Sequence, residues 1–408
     1  MTELSTPGQK LKLTITAFLL TFITGILVVL PFVVQGSAQE SLNINAVEIG
    51  KIFSYFMMGM VVMQFLNGYI IKVIKPKTEL YIIAVIYLIC MFGMFKVNTA
   101  HQAGLLAFII IVLGLCGGVV VTIPNYIIVH TFQGKQRTTR LNLLDFCFSA
   151  GSSGYPYIVS LLFVMNFNWR DVYATVIIVW IVIVIMLTLT KIPELGKTSG
   201  NETIQYSKWN GSVVLVGVAI FFFFISYTGF TYILQGCLQD IFTGPYGAVK
   251  AASYSINAIT MFWLFYAVGC IISSFIIHKI PVNIYIIVSA IVACIAYIWV
   301  FHSVTVVAVY IAVSLLGLGC ATTYSSSIAF GTQLVELASP RMVSFFIVLS
   351  GVGTFAGEYL ANIWFNEHGY KFVTYESIGA MALVAVIYII VSIVNREKGL
   401  KEGKEYRI

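Results

Sequence analysis

The stretch KIPELGKTSGNETIQYSK, Lys191 to Lys208, is the longest polar interval in a chain of 408 residues that is 59% hydrophobic and only 10% charged. Its Gly, Ser, Thr and charged residues read as a solvated linker. To either side lie apolar blocks of about 20 residues, each long enough to cross roughly 30 Å of hydrocarbon at 1.5 Å per residue. They fall near 13–34, 48–73, 80–97, 103–131, 140–165 and 170–191 before it, and 209–236, 251–279, 282–301, 304–334, 341–365 and 372–395 after it. The expected fold class is therefore an all-α polytopic membrane protein. Twelve transmembrane helices form two six-helix halves, residues 1–195 and 209–395, with a linker at 196–208 and a tail at 396–408. A transmembrane barrel is excluded, because its strands alternate apolar and polar residues in short segments. The first block lacks a small-residue cleavage site and reads as a retained helix.

Charge sets the expected orientation. With both termini in the cytoplasm, only Lys51, Lys96, Arg170, Lys250 and Lys371 face outside, and the other 18 of the 23 basic residues stay inside. The net charge of +7 is thus a topology signal rather than a nucleic-acid footprint. This orientation also argues against glycosylation at the NxT of Asn201 to Thr203. The mixed-charge tail after Asn395 reads as solvated and without catalytic work. The seven cysteines lie in or beside apolar blocks with no CxxC or Cys/His spacing, so they read as core residues and not as metal ligands or disulfides.

The halves repeat each other at an offset near 200. TGILVVLPFVVQGSAQE from Thr24 is matched by TGFTYILQGCLQD from Thr228, and LGLC at Leu113 by LGLG at Leu316. YIIKVIKPKTELYIIA from Tyr69 is likewise matched by FIIHKIPVNIYIIV from Phe275. Apolar sequence aligns with itself easily, but several matches in one order favour duplication. Two six-span halves of parallel topology joined by a polar loop describe the major facilitator fold, in which substrate is held between the halves and their rocking gives alternating access. No catalytic constellation is present: there is no GxSxG or HExxH, and the five histidines are scattered near block ends. The chain is not expected to be an enzyme.

GKQRTTRLNLLDFCFSAGSSGYP from Gly134, FLNGYIIKVIKPKTEL from Phe65 and MFWLFYAVGCIISSFI from Met261 together resemble the TsgA-like major facilitators, relatives of the fucose:proton symporters. The spacing of Arg140, Leu141, Asp145, Phe148, Ser149 and Pro156 is the most specific part of that resemblance. It implies a bacterial inner-membrane transporter. The sugar symporters carry acids on their first and fourth spans, where this chain has none, so their sugar and proton sites do not transfer. In the link after the second span Gly68 matches the superfamily pattern, but Lys72 replaces its aspartate, with Lys75 and Lys77 supplying positive charge. Another acid is expected to take over the latch.

Asp145 and Glu358 stand out as acids well inside apolar blocks. A charge at the bilayer centre costs about 2.5–3.5 kcal/mol on insertion scales, so each is expected to face the bundle interior or a wet cavity. Asp145 lies five residues beyond Arg140, roughly 7–8 Å along a helix. That favours a gate or ion pair with Arg137, Arg140 or a lysine, ahead of proton coupling and of direct substrate contact. Glu358, about 25 Å along its span from Arg341, is a candidate for coupling or substrate contact, against a hydrogen-bonded role in packing.

The substrate-binding candidates are Thr24, Gln35, Asn125, Asn142, Tyr227, Gln235, Asn257, Trp263, Tyr324 and Asn362. Gln35 and Gln235 occupy matched places in the two repeats. For each of these residues, bonding between helices is the commoner role of a polar side chain in a membrane and outweighs ligand contact. Trp263 and Tyr324 are candidate walls of a stacking pocket, although most membrane-protein aromatics face lipid or the interface.

The expected function is secondary active transport of a small polar or amphipathic solute by alternating access. No cofactor is expected, a proton gradient drives the cycle, and the protein works as a monomer in the lipid bilayer. Export of a metabolite or siderophore-like compound is the alternative within transport. A non-transporting membrane sensor of the same fold is the alternative outside it.

Overall fold

The computed structural model describes residues 6–402 apart from 45, 72, 193–206 and 304. Lys72, the Asn201 to Thr203 motif and nearly all of the linker lie outside the described residues, as do the side chains of Gln235 and Asn362. The helices are α1 (Pro7–Leu42), α2 (Ala46–Ile70), α3 (Pro76–Met94), α4 (Ala103–Thr131), α5 (Gly134–Val164), α6 (Trp169–Leu189) and α7 (Gly211–Tyr246). They continue with α8 (Ala248–Ile276), α9 (Val282–His302), α10 (Val306–Cys320), α11 (Thr323–Gln333), α12 (Pro340–His368) and α13 (Tyr370–Glu402). Among the described residues twelve segments are long and apolar enough to cross a membrane, α10 and α11 together making the tenth. Helix α13 continues past Asn395 to Glu402, into what the sequence reads as tail.

Helix ends follow local chemistry. Asn168 opens α6 by accepting from the Arg170 and Asp171 backbone N–H groups, while Asp171 accepts in return from the Asn168 N–H at 3.0 Å. This capping box satisfies donors that a helix start leaves free. Asn210 caps α7 in the same sense, accepting from the Val213 N–H.

Two compact units emerge. The first holds α1, α2, α3, α4, α6, the Cys147–Val164 part of α5 and residues 339–348 at the start of α12. The second holds α7 to α11, α13, the Gly134–Phe146 part of α5 and α12 from Leu349.

The packing of the first unit recurs in the second. Helix α2 packs on α4, α1 on α2 and α3 on both α4 and α6; correspondingly α8 packs on α10, α7 on α8 and α9 on both α10 and α13. The repeated LGL motif sits in this packing. A Cβ on Gly114 would overlap the carbonyl oxygen of Phe56 on α2, and a Cβ on Gly317 would overlap that of Phe262 on α8. The repeated TG motif behaves likewise, with Gly25 against the Phe148 backbone of α5 and Gly229 against the Gly357 backbone of α12. Small residues at these seams let helix backbones approach closely, which compensates for the weak hydrophobic drive between helices in lipid.

The tenth apolar block is one continuous run in sequence, but the structure breaks it. Helix α10 stops at Cys320 and α11 restarts at Thr323, with Thr322 in the left-handed region at φ 57°. Ala321 and Thr322 are fully buried, so the freed backbone groups need partners. The Tyr285 hydroxyl of α9 donates to the Ala321 carbonyl at 3.3 Å and pairs with Thr322 Oγ1 at 2.9 Å. Thr323 Oγ1 donates back to the Gly319 carbonyl at 3.3 Å.

Candidate functional site

Helix α11 starts inside the second unit, and a helix start presents N–H groups without intrahelical partners at the positive end of its dipole. Asp145, on the Gly134–Phe146 part of α5, meets that end. Its carboxyl interacts with both the hydroxyl and the backbone N–H of Ser325, the third residue of α11. Its Oδ2 is buried and has no hydrogen-bond partner. Asp145 forms no ion pair among the described residues. Arg137, two turns earlier on α5, instead donates from Nη1 to Thr332 Oγ1 at 3.2 Å, and Arg140 is half-buried.

Several of the surrounding hydroxyls and amides are committed to one another. The Asn142 amide donates to Ser273 Oγ at 3.3 Å and accepts from the Ser326 hydroxyl at 3.2 Å, joining α5, α8 and α11. The Tyr324 hydroxyl is hydrogen-bonded to Ser350 on α12.

Beside these groups lies a connected set of rings. Tyr227 of α7 stacks on Phe223 at 5.5 Å with an interplanar angle of 4° and meets Phe224, Phe262, Trp263 and Tyr266 at 6.0–6.4 Å. Tyr324 of α11 stands edge-on to Phe224 at 5.2 Å. Tyr227, Tyr266 and Tyr324 all lie near enough for the Asp145 charge to bear on their hydroxyls. Tyr227 and Tyr266 are buried, whereas Trp263, Tyr324 and Phe224 keep part of their surface free.

Of the residues singled out from sequence, the structure therefore brings together Asp145, Asn142, Tyr227, Trp263 and Tyr324. Glu358, also in the second unit, is half-buried on α12 and has no hydrogen bond or ion pair among the described residues. It follows Gly357, which packs against Ile225 and Thr228 of α7. Asn257 is exposed on α8. In the first unit, Thr24 and Asn125 turn back on their own helices, donating to the Leu20 carbonyl at 2.8 Å and the Val121 carbonyl at 3.0 Å. Gln35 packs beside Gly50.

Sequence reasoning missed Ser325, Tyr266, Phe262 and the helix break. The available signal was the run TTYSSS, Thr322 to Ser327, whose six hydroxyl residues compete for backbone hydrogen bonds inside an apolar span. It also undercounted the acids. Glu79 is buried on the first turn of α3, and Glu376 is half-buried on α13 with Oε2 3.5 Å from the Ser377 hydroxyl. With the Asn67 amide nitrogen turned toward it, Glu79 accepts at 2.7 Å and 3.3 Å. Next to Asn67, Gly68 abuts Ser344 and Tyr69 lies under the Arg341 guanidinium at 4.9 Å, all within the first unit.

Comparison with known proteins decides the family. The Major Facilitator Superfamily model matches residues 13–358. The chain belongs to the Major Facilitator Superfamily. It is similar to Protein TsgA of Shigella flexneri, 25% identical over 399 residues that make up 96% of this chain and 98% of that protein. Its fold matches the Escherichia coli fucose:proton symporter FucP with a TM-score of 0.74 at 13% identity, covering 94% of this chain and 99% of that one. The proton:xylose symporter XylE, solved with 6-bromo-6-deoxy-D-glucose, gives 0.74 at 12% identity over 93% and 95%. This major facilitator is thus a multi-pass membrane transporter with bacterial relatives, from a superfamily whose members take small molecules through the membrane and are typically non-enzymatic.

Proposed function

We propose that this major facilitator is a secondary active transporter of a small polar or amphipathic solute, coupled to protons through Asp145. The observation that carries this reading is the carboxyl itself, set at the broken middle of a span with one oxygen held by Ser325 and the other unpartnered. A discontinuous helix whose positive end faces a membrane-embedded site is a recurring device for holding charge in transporters. A carboxyl in that position accepts a proton on one side of the membrane and releases it on the other. Glu358 is a second candidate for the same work.

Residues 1–195 and 209–395 rock against each other, the protein acts as a monomer, and it lies in a bacterial inner membrane with both termini in the cytoplasm, as the 18-to-5 division of basic residues supports. Arg137 and Arg140 then lie toward the cytoplasmic side, as candidates for gating. The test is uptake by proteoliposomes of sugars, amino acids, nucleosides and small cations, with and without a pH gradient. Accumulation that collapses with the gradient supports the reading, and equal uptake with and without it refutes proton coupling.

A further inference from the structure

We infer that the occupant of this site is an organic cation, an amine or quaternary ammonium carrying apolar groups, seated between the Asp145 carboxylate and the rings of Tyr227, Trp263 and Tyr324. The inference rests on the transport reading above and narrows its substrate class.

Three observations carry it. First, Asp145 is an acid without a cationic partner among the described residues, and its Oδ2 is a buried acceptor with nothing to accept from. Native structures rarely leave such a group unanswered, and a bound positive group would answer it. Second, the ring set from α7, α8 and α11 is continuous around the tyrosines nearest to that carboxyl, with Trp263, Tyr324 and Phe224 still partly open. Aromatic faces carry negative charge density and hold quaternary ammonium groups through it. Third, several of the uncharged polar groups nearby are already paired: Asn142 with Ser273 and Ser326, Tyr324 with Ser350, and Ser325 with Asp145 itself. A polyol needs several convergent donors and acceptors, and leaving its hydroxyls unpaired would cost affinity. An anion would meet the helix start of α11 already occupied by Asp145. A cation needs only the free oxygen and the rings.

The groups that face Asp145 are the Ser325 hydroxyl and N–H of α11 and the Tyr227, Tyr266 and Tyr324 hydroxyls of α7, α8 and α11, with Cys270 and Cys320 beside Tyr227 and Tyr266. A proton and the cation thus compete for one carboxyl, and cation affinity rises with pH.

The experiment uses the full chain in lipid nanodiscs. Tryptophan fluorescence and thermal shift follow titration with choline, with benzyltrimethylammonium and with 3,3-dimethylbutan-1-ol, the neutral carbon isostere of choline. Both cations should bind saturably, choline about tenfold or more tighter than its isostere, and Asp145→Asn should remove about tenfold of cation affinity while the ligand-free melting temperature falls by no more than a few degrees. Trp263→Leu should weaken both cations severalfold, and Trp263→Phe less. Equal binding of choline and its isostere, unchanged cation binding in Asp145→Asn, or no saturable binding of either cation would overturn the inference. Proteoliposome exchange of the same probes and of L-fucose separates it from the transport reading. Cations that bind but never exchange would leave the cation site standing and defeat transport. Accumulation of the sugar without cation binding would do the reverse.

Discussion

The carboxyl of Asp145 on α5 meets the backbone N–H and hydroxyl of Ser325, three residues past the break that divides α10 from α11. The two residues are 180 positions apart in sequence, yet each accounts for the other. The helix start supplies N–H donors and positive dipole that make a membrane-embedded carboxylate tolerable, and the carboxylate satisfies backbone groups that the break would leave bare. Interactions of this kind are worth about 0.3–1 kcal/mol at exposed helix ends and up to about 2 kcal/mol in partly buried ones.

Asp145→Asn keeps an acceptor for the Ser325 N–H while removing the charge and the titrating proton. The melting temperature should therefore fall by only a few degrees, in keeping with a loss of about 1 kcal/mol or less. Transport by the variant should lose the pH response that wild type shows. Scanning calorimetry and uptake across pH check the two halves of this prediction.

Thr322 sits at φ 57°, where a β-branched side chain costs about 1–2 kcal/mol. Thr322→Gly relieves that cost but loses the bond to Tyr285, so stability should change by less than about 1 kcal/mol. Proline fixes φ near −65°, so Thr322→Pro should destabilise by about 3 kcal/mol or more. Chemical denaturation in mixed micelles measures the ordering, and a Pro variant as stable as the Gly variant would refute the broken-helix geometry.

Gly114 and Gly317 perform one task in two repeats. Valine at either position would push a side chain into the backbone of the facing helix, and overpacking of this sort costs about 1–3 kcal/mol or more. Both variants should lower the melting temperature by similar amounts. Gly104, which has nothing near its Cβ position, should tolerate alanine.

Glu79→Ala would leave the buried Asn67 amide without its partner, a loss of about 1–3 kcal/mol. Glu79→Gln retains an acceptor oxygen and should recover most of that stability. Equal melting temperatures for the two variants would rule out the pair as a structural contact.

The twelve spans were legible in the sequence because membrane helices must be long and continuously apolar, and the repeat was legible because Gly25, Gly229, Gly114 and Gly317 are fixed by backbone approach. The break in the tenth span was not, since hydropathy over 304–334 carries no record of one left-handed residue. Glu79 escaped notice because it falls just before the apolar block at 80–97, whereas the helix itself starts at Pro76, and only the fold returns Asn67 to it from across the α2–α3 link. Asp145 was visible as an anomaly, but a gating ion pair with Arg137 or Arg140 was the favoured reading because those cations are close in sequence. Helix periodicity does not report that Arg137 reaches Thr332, or that a helix start from the other repeat lies beside the acid.

The most direct measurement is solute-driven proton movement in proteoliposomes loaded with a pH-sensitive dye, comparing wild type with Asp145→Asn against one panel of sugars, amino acids, nucleosides and organic cations. Wild type should shift the internal pH on addition of its solute, and Asp145→Asn, reconstituted to the same density, should not. Equal proton movement by the two proteins would show that the coupling carboxyl is elsewhere and that Asp145 only closes the broken helix.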